Sequence, residues 1–166
     1  MLTEKNLKEA FSGESQANRK YIAFAKRAEE EGYSQIARLF RAAAEAETVH
    51  ALAHLRVMKG IEDTASNLKA AIEGEGFEFK EMYPKFLEDA RKEKESAAAM
   101  SFSNALAVEE IHHRLYKKAL ETLQAGKDLA ASSIFVCSVC GNTVNGEPPD
   151  RCPVCNSPKK MFFEVK

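Results

Sequence analysis

The stretch EAETVH, Glu45 to His50, decides the fold, because it sets a carboxylate and an imidazole three residues apart inside a helix-forming segment. Glu47 follows Phe40 by two helical turns and precedes Ala51 by one, so it belongs to the apolar face of the helix, with His50 beside it. A buried carboxylate is unfavourable unless it is paired or protonated. A carboxylate at this position therefore needs a group that balances its charge.

Composition limits the classes of protein to consider. The 166 residues are 45% hydrophobic and 30% charged, a normal globular balance, and the formal net charge of -1 gives no footprint for nucleic acid or for an anionic membrane. The opening MLTEKNLKEAF lacks the apolar run of a signal peptide, and no segment is apolar enough to cross a bilayer. We expect a cytoplasmic protein that binds neither nucleic acid nor membrane.

Cysteine and proline divide the chain in two. Residues 1–131 contain no cysteine, whereas residues 132–166 hold all four cysteines and four of the five prolines. In a reducing compartment such cysteines are more often metal thiolates than disulfides. We place a domain boundary near Ser132.

Hydrophobic periodicity predicts four helices in residues 1–131. The first helix ends at Gly32, and the second is capped by Ser34 and stops at Gly60. The third begins near Ser66 and Asn67, is kinked at Pro84 and ends near Lys92. The fourth runs from Glu95 to Ala125 and closes at Gly126. Four helices of this length predict an all-α four-helix bundle, with the tail as a small metal-stapled β and loop domain.

Acidic residues interrupt each apolar face. The side chains predicted to point inward are Glu14, Glu47, His50, Glu75, Glu78, Glu109 and His112. The fourth helix offers two registers, and Glu109 lines up with the apolar positions while Glu110 and His113 share a face with basic residues. We therefore expect the 110/113 pair to be solvated.

Five inward carboxylates without an inward Lys or Arg require a multivalent cation. One Glu from each of two helices and Glu-x-x-His from each of the other two is the ligand set of di-iron and di-manganese bundles. Oxygen-rich ligands with one imidazole per metal favour iron or manganese over zinc.

The tail contains a second metal signature. Residues 137–155 read CSVCGNTVNGEPPDRCPVC, and this spacing of Cys137, Cys140, Cys152 and Cys155 predicts a tetrahedral four-thiolate site. Spacing alone puts zinc slightly ahead of iron.

Together these features resemble the rubrerythrin family over essentially the whole chain. The resemblance is carried, in order, by GESQANRKY (13–21), EAETVH (45–50), GEGFEFKEMYPKF (74–86), EEIHHRLY (109–116) and the two cysteine pairs. One departure is Asn156, which stands where such cysteine pairs are usually followed by glycine; asparagine tolerates the left-handed conformation needed there. The resemblance implies a ferritin-like bundle, an oxo- and carboxylate-bridged di-iron centre, and one iron rather than zinc in a rubredoxin-like tail.

The resemblance also implies an activity. It is that of a non-haem peroxidase that reduces hydrogen peroxide to water in oxidative-stress defence, with electrons from rubredoxin or an NAD(P)H-dependent reductase relayed through the tail. The seven inward residues become iron ligands, Glu47 and Glu109 as bridges, with a redox-dependent exchange between Glu78 and His50. Tyr21 and Tyr83 match tyrosines that hydrogen-bond ligand carboxylates, although a tyrosine on an apolar stripe is at least as often plain core.

Chain length constrains how a bundle can form. In ferritin-like bundles the second and third helices run parallel, so a linker returning Glu75 to the level of Glu47 must span ~33 Å, whereas six residues reach only ~20 Å. We therefore predict a domain-swapped homodimer whose iron sites draw ligands from both subunits.

Three alternatives use the same residues differently. A ferroxidase or iron-storage protein would share the bundle but would not need the thiolate centre. A pure electron carrier would not need seven further ligands. A binding module with a structural zinc ribbon fits if the tail holds zinc.

Overall fold

The computed structural model describes residues 1–166, and the chain divides into two compact units, Met1–Glu62 and Asp63–Lys166. The boundary predicted near Ser132 falls inside the second unit, so the division into a 1–131 bundle and a 132–166 tail stays a prediction. None of the α-helices combines the length and the apolar character that a membrane span requires.

The first unit is a helical hairpin of α1 (Leu2–Glu30) and α2 (Ser34–Val57). Gly32 adopts the left-handed conformation, with φ 85°, which ends α1 as the sequence predicts. Beyond the turn, the rings of Phe24 and Phe40 pack edge-on with their centroids 5.6 Å apart. The short turn and this contact keep the two helices side by side.

The ends of α2 differ from the prediction at both termini. Ser34 is the first helical residue rather than the cap, and Tyr33 holds the cap position without a side-chain hydrogen bond. At the other end Lys59, not Gly60, takes the left-handed conformation, with φ 56°. The N–H of Gly60 donates to the carbonyl of Leu55 at 2.9 Å, so the chain stays wound against the helix end.

The helices of the second unit are α3 (Thr64–Phe77), a π-helical turn (Glu78–Met82), α4 (Tyr83–Lys92) and α5 (Ser96–Gln124). α3 begins earlier than predicted because Asp63 caps it, accepting a hydrogen bond from the Ser66 N–H at 3.0 Å. α5 agrees with the prediction, with Glu95 as N-cap and Gly126 left-handed at its end.

The irregularity predicted at Pro84 appears as the π-helical turn immediately before it. The N–H of Tyr83 donates to the carbonyl of Glu78, five residues back, which is the wider π pattern. Proline has no N–H to continue the α-helical ladder, so the backbone adjusts next to it. The predicted third helix is thus α3, the π turn and α4 in continuous succession.

The tail forms a three-stranded antiparallel sheet of β1 (Ile134–Cys137), β2 (Thr143–Asn145) and β3 (Phe162–Val165), in the order β2-β1-β3. A short 3-10 helix, Lys159–Met161, precedes β3. Cys137 ends the central strand, and both Cys137 and Cys152 are buried. The small interior of the tail is therefore built around its cysteines.

Candidate metal centres

In the first unit, three predicted ligands converge between α1 and α2. Donor atoms of Glu14, Glu47 and His50 lie within 4.8 Å of one another. His50 Nδ1 lies 3.0 Å from Glu47 Oε2 and 3.8 Å from Glu14 Oε1. The Glu47 side chain is 18% exposed although it carries a charge, whereas that of His50 is 55% exposed.

The two carboxyl groups of this cluster shift each other's pKa in opposite directions. A hydrogen bond to Glu47, followed by burial, raises the pKa of Glu14. The same hydrogen bond, with a second from His50, lowers the pKa of Glu47. Two carboxyl groups this close together offer oxygen ligands to a cation, which would relieve the repulsion between their charges.

The second unit repeats this arrangement between α3 and α5. Glu75, Glu109 and His112 bring their donor atoms within 4.8 Å of one another. His112 Nδ1 lies 2.8 Å from Glu109 Oε2 and 3.8 Å from Glu75 Oε1, nearly the distances found in the first unit. Each hairpin thus supplies one Glu from one helix and Glu-x-x-His from the other, which is half of a dimetal ligand set.

Burial and crowded negative charge perturb this second cluster. Burial, with a hydrogen bond to Glu109 and the charges of Glu109 and Glu78, raises the pKa of Glu75 to about 7. Burial and the charge of Glu109 also raise the pKa of Glu78. The pKa of Tyr83 is raised by burial and by the same carboxylates, so Tyr83 stands beside the cluster.

Glu78 is not one of the three convergent donors of this cluster. The π turn carries it at the edge of the group, within range of its charges. Tyr21 packs instead with the rings of Phe24 and Phe40, at centroid distances of 6.3 and 6.1 Å. Roles for Glu78 and Tyr21 as ligand and ligand partner stay predictions.

His113 is not solvated as its sequence register predicts. Its Nδ1 donates to the carbonyl of Ile72 at 2.9 Å, and its ring lies 5.1 Å from that of Phe79. Gly76 leaves the space, because a Cβ there would come within 3.3 Å of the imidazole. Glu110 is exposed, as expected, beside Arg114 at 3.6 Å.

The four cysteines of the tail form one cluster whose sulfurs all lie within 4.8 Å of one another. The cysteine pairs end in matched turns, in which Gly141 N–H donates to Cys137 O at 2.8 Å and Asn156 N–H to Cys152 O at 2.9 Å. Gly141 and Asn156 are both left-handed, with φ 84° and 60°, so asparagine meets the need that glycine usually serves. The donor set fits a tetrahedral iron or zinc ion.

The thiols of this cluster have unequal environments. Burial raises the pKa of Cys140. Burial acts in the same direction on Cys155, but hydrogen bonds from the side chain and backbone of Ser157 and from neighbouring thiols lower its pKa to about 6. A thiol with a lowered pKa is readily ionised for metal binding.

Two buried asparagines support these centres, and neither was predicted from the sequence. Asn18 donates through Nδ2 to the carbonyl of Ala44 at 2.7 Å and to the hydroxyl of Thr48 at 2.8 Å, which ties α1 to α2 one turn from the first cluster. Asn142, 2% exposed, donates to Cys152 Sγ at 3.6 Å. Only packing reveals them, because isolated asparagines are ordinary in sequence.

These clusters define a class of protein: a helical carboxylate metalloprotein with an attached four-thiolate site. The family model for rubrerythrin matches residues 5–120, and that for the rubrerythrin rubredoxin-like domain matches residues 135–163. The chain therefore belongs to the rubrerythrin family, and its fold class is the one that the sequence predicts.

Relatives match along nearly their full length. The chain is 41% identical to a putative rubrerythrin of Methanocaldococcus jannaschii, covering 99% of this chain and 92% of the relative. Rubrerythrin-2 of Clostridium acetobutylicum is 35% identical, with coverage of 97% and 95%. Nigerythrin of Nitratidesulfovibrio vulgaris is 36% identical, with coverage of 96% and 85%.

Solved structures of nigerythrin are also similar to this chain. The mixed-valence and fully reduced, all-ferrous states each align at 35% identity over 98% of this chain and 86% of the other, with a TM-score of 0.58. The fully reduced state of nigerythrin is described as all ferrous.

Proposed function

We propose that this chain is a non-haem di-iron peroxidase that reduces hydrogen peroxide to water with electrons passed through its four-thiolate tail. The observation that carries the proposal is the presence, in one chain, of two matched Glu, Glu and His clusters and a four-cysteine cluster. A storage protein needs no thiolate centre, and an electron carrier needs no second set of ligands.

In this proposal two iron ions would be held by Glu14, Glu47, His50, Glu75, Glu78, Glu109 and His112. Glu47 and Glu109 would be shared between the two ions, and Glu78 and His50 would exchange as ligands. When bound, the ferrous pair supplies two electrons together to peroxide. The carboxyl of Glu75, with a pKa raised to about 7 by burial, is able to hold a proton near neutral pH in the metal-free chain. The Tyr83 hydroxyl, close to the same carboxylates, would orient them.

Cys137, Cys140, Cys152 and Cys155 hold the third metal in this proposal, as iron. Rubredoxin or an NAD(P)H-dependent reductase would supply the electrons, in the reducing cytoplasm predicted from the sequence. The alternative that the thiolate cluster itself favours is zinc, because four thiolates suit either ion. The chain would then be a ferroxidase or a binding module with a structural zinc ribbon.

The experiment follows the colour of the thiolate centre. Purified protein is reduced anaerobically, given equimolar hydrogen peroxide, and monitored by visible absorption. We expect the ferric-thiolate colour to return much faster than with oxygen. Colour that returns no faster with peroxide than with oxygen would favour the ferroxidase or electron carrier, and a colourless protein would indicate zinc.

A variant of the tail tests the relay itself. Cys137→Ala should leave the first peroxide turnover of pre-reduced protein intact and stop the second, because the carboxylate centre then loses its supply of electrons. Single-turnover and steady-state peroxide consumption distinguish these steps. Normal steady-state turnover in this variant would contradict the relay.

We also propose that the functional form is a domain-swapped homodimer. Within each unit only half of a dimetal ligand set converges. Each unit also exposes large apolar side chains, among them Leu39 at 69%, Val49 at 64% and Met100 at 68%. Exposed apolar surface of this kind supports the proposal that a second subunit covers it.

Linker length supports the swap. Six residues, Met58–Asp63, separate α2 from α3, and they reach about 20 Å when extended. Helix rise would require about 30 Å to bring Glu75 back to the level of Glu47 in a bundle with parallel second and third helices. Hydrogen bonds from the N–H groups of Met58 and Gly60 to the last turn of α2 further shorten the distance that this linker can span.

A further inference from the structure

One hydrogen bond joins the tail to the second carboxylate cluster within the second unit. His112 Nε2 lies 2.9 Å from the hydroxyl of Thr143, the first residue of β2. The two residues are 31 positions apart, and both are part-buried.

The two ring nitrogens of His112 face different groups: Nδ1 faces carboxylates, and Nε2 faces the Thr143 hydroxyl. Nδ1 points to Glu109 Oε2 at 2.8 Å and Glu75 Oε1 at 3.8 Å, so it is the nitrogen directed at the predicted metal. An imidazole that ligates a metal through one nitrogen carries its proton on the other, and a partner for that proton fixes tautomer and ring orientation. Thr143 occupies the position of that partner.

The direction of the hydrogen bond follows from the next contact. The Thr143 hydroxyl donates its own hydrogen to the carbonyl of Gly141 at 3.2 Å. Its oxygen therefore remains as an acceptor toward His112, and the bonds run from Nε2–H to Thr143 and from Thr143 to Gly141. Gly141 follows Cys140 directly, so this path begins at one predicted metal site and ends next to the other.

Packing keeps the two ends of this path together. The backbone at Gly141 lies against α5, where an added Cβ would stand 3.7 Å from Val108 Cγ1. Val108 is 2% exposed and directly precedes Glu109. The first cysteine turn is thus seated on the helix that carries the Glu-x-x-His pair.

We propose that Thr143 is a positioning residue for His112, holding its Nε2–H tautomer so that Nδ1 is free to bind metal. The inference rests on the proposed metal centre but does not depend on peroxide chemistry. A chain that binds metal and fails to reduce peroxide would refute the proposed function while leaving the role of Thr143 open to the test below.

The test compares Thr143→Val, which keeps the shape but removes the acceptor, with Thr143→Ser, which keeps the hydroxyl. The full chain, with zinc in the four-cysteine site, is titrated with Co²⁺ and followed by visible absorption. We expect Thr143→Val to weaken one of two Co²⁺ equivalents by about 10- to 100-fold, as for other partners of metal-bound histidines. The other equivalent, bound by the His50 cluster, and both equivalents in Thr143→Ser should bind as in the wild type.

Nitrogen-15 NMR of the histidine rings supplies a readout that a merely structural role would not move. With Zn²⁺ also bound at the carboxylate cluster of the wild type, His112 should be protonated at Nε2 with that proton protected from solvent exchange. Thr143→Val should lose this protection, and Thr143→Ser should keep it. Wild-type Co²⁺ affinity in Thr143→Val, or equal weakening in Thr143→Ser, would overturn the proposal. Should Thr143→Val fail to bind metal, the wild-type spectrum decides, because Zn²⁺ bound through Nε2 of His112, with the proton on Nδ1, refutes the proposal.

Discussion

At the scale of single residues, two adjacent glutamates with the same chemistry have different surroundings. Glu109 is 17% exposed and hydrogen-bonded to His112, whereas its neighbour Glu110 is 50% exposed beside Arg114. Successive residues of an α-helix are rotated by about 100° about its axis, so Glu109 faces the cluster while Glu110 faces solvent. The adjacent pair therefore provides a variant and its control.

We predict that Glu109→Gln loses metal from the carboxylate centre. An amide has no negative charge to balance a cation. The affinity for Fe²⁺ should therefore fall by about 100-fold or more, because loss of a residue that only hydrogen-bonds a metal ligand can already cost that much. Metal analysis after anaerobic loading and dialysis measures this, with the four-cysteine metal as internal reference. Glu110→Gln should retain the wild-type content, and equal loss in both variants would refute the assignment of Glu109.

At the scale of the elements, each helical hairpin carries half of the ligand set, so its internal alignment matters. Asn18 aligns α1 with α2 by bonding two groups on the other helix, the Ala44 carbonyl and the Thr48 hydroxyl. In the second unit, α3 is aligned with α5 by the His113 bond to Ile72. These contacts set the levels at which the glutamates and histidines meet.

Asn18→Leu should destabilise the first hairpin. The substitution removes one buried and one part-buried hydrogen bond, and leaving a buried group without its partner costs about 1 to 3 kcal/mol. Denaturant unfolding followed by circular dichroism, with the carboxylate centre left metal-free, measures the change. Gln16→Ala, which removes only an exposed contact to Ser12, is the control and should be nearly neutral.

Capping of α3 should depend on pH through Asp63. Hydrogen bonds from the backbone and side chain of Ser66 lower the pKa of Asp63 below its ordinary value of 3.8. A lowered folded-state pKa means that the ionised cap stabilises the fold above 3.8 and that this contribution is lost as the pH falls through the lowered value.

Asp63→Ala should therefore melt below the wild type at neutral pH, and the difference should shrink in acid. Thermal unfolding across that pH range checks the trend. Asp63→Asn, which still accepts from Ser66, should keep most of the stability at every pH. A deficit in Asp63→Ala that grew on acidification would contradict this account of the cap.

At the scale of the whole molecule, the proposed swap has a consequence that mixing can test. Glu47→Ala damages the α1–α2 contribution and Glu109→Ala the α3–α5 contribution, so neither homodimer should hold a complete centre. In a swapped heterodimer one centre combines both undamaged contributions. Co-refolded chains should then recover about one quarter of the wild-type centres, for random pairing.

The measurement is metal content and peroxide turnover of the mixture against each variant alone. Recovery in the mixture requires that one centre draws ligands from two chains. If each centre were built by a single chain, every centre in the mixture would still lack one glutamate, and no activity would return.

The sequence by itself determined the features that follow from local geometry. Helical periodicity placed Glu47 and Glu109 on the apolar faces, and the spacing of the cysteine pairs predicted the four-sulfur cluster that the tail forms. Gly32, Gly126 and Asn156 were also predictable, because a left-handed residue at a helix end or a cysteine turn is a local requirement.

Only the tertiary structure decided the contacts between distant segments. The π turn that carries Glu78, the bonds of Asn18 across the hairpin, the burial of His113 against Ile72 and the link from Thr143 to His112 depend on how packed elements are aligned. Asparagine, threonine and histidine are common on solvated surfaces, so their presence in the sequence does not reveal a partner 26 to 41 residues away. That alignment is set by the packing of side chains between elements, which no single stretch of sequence contains.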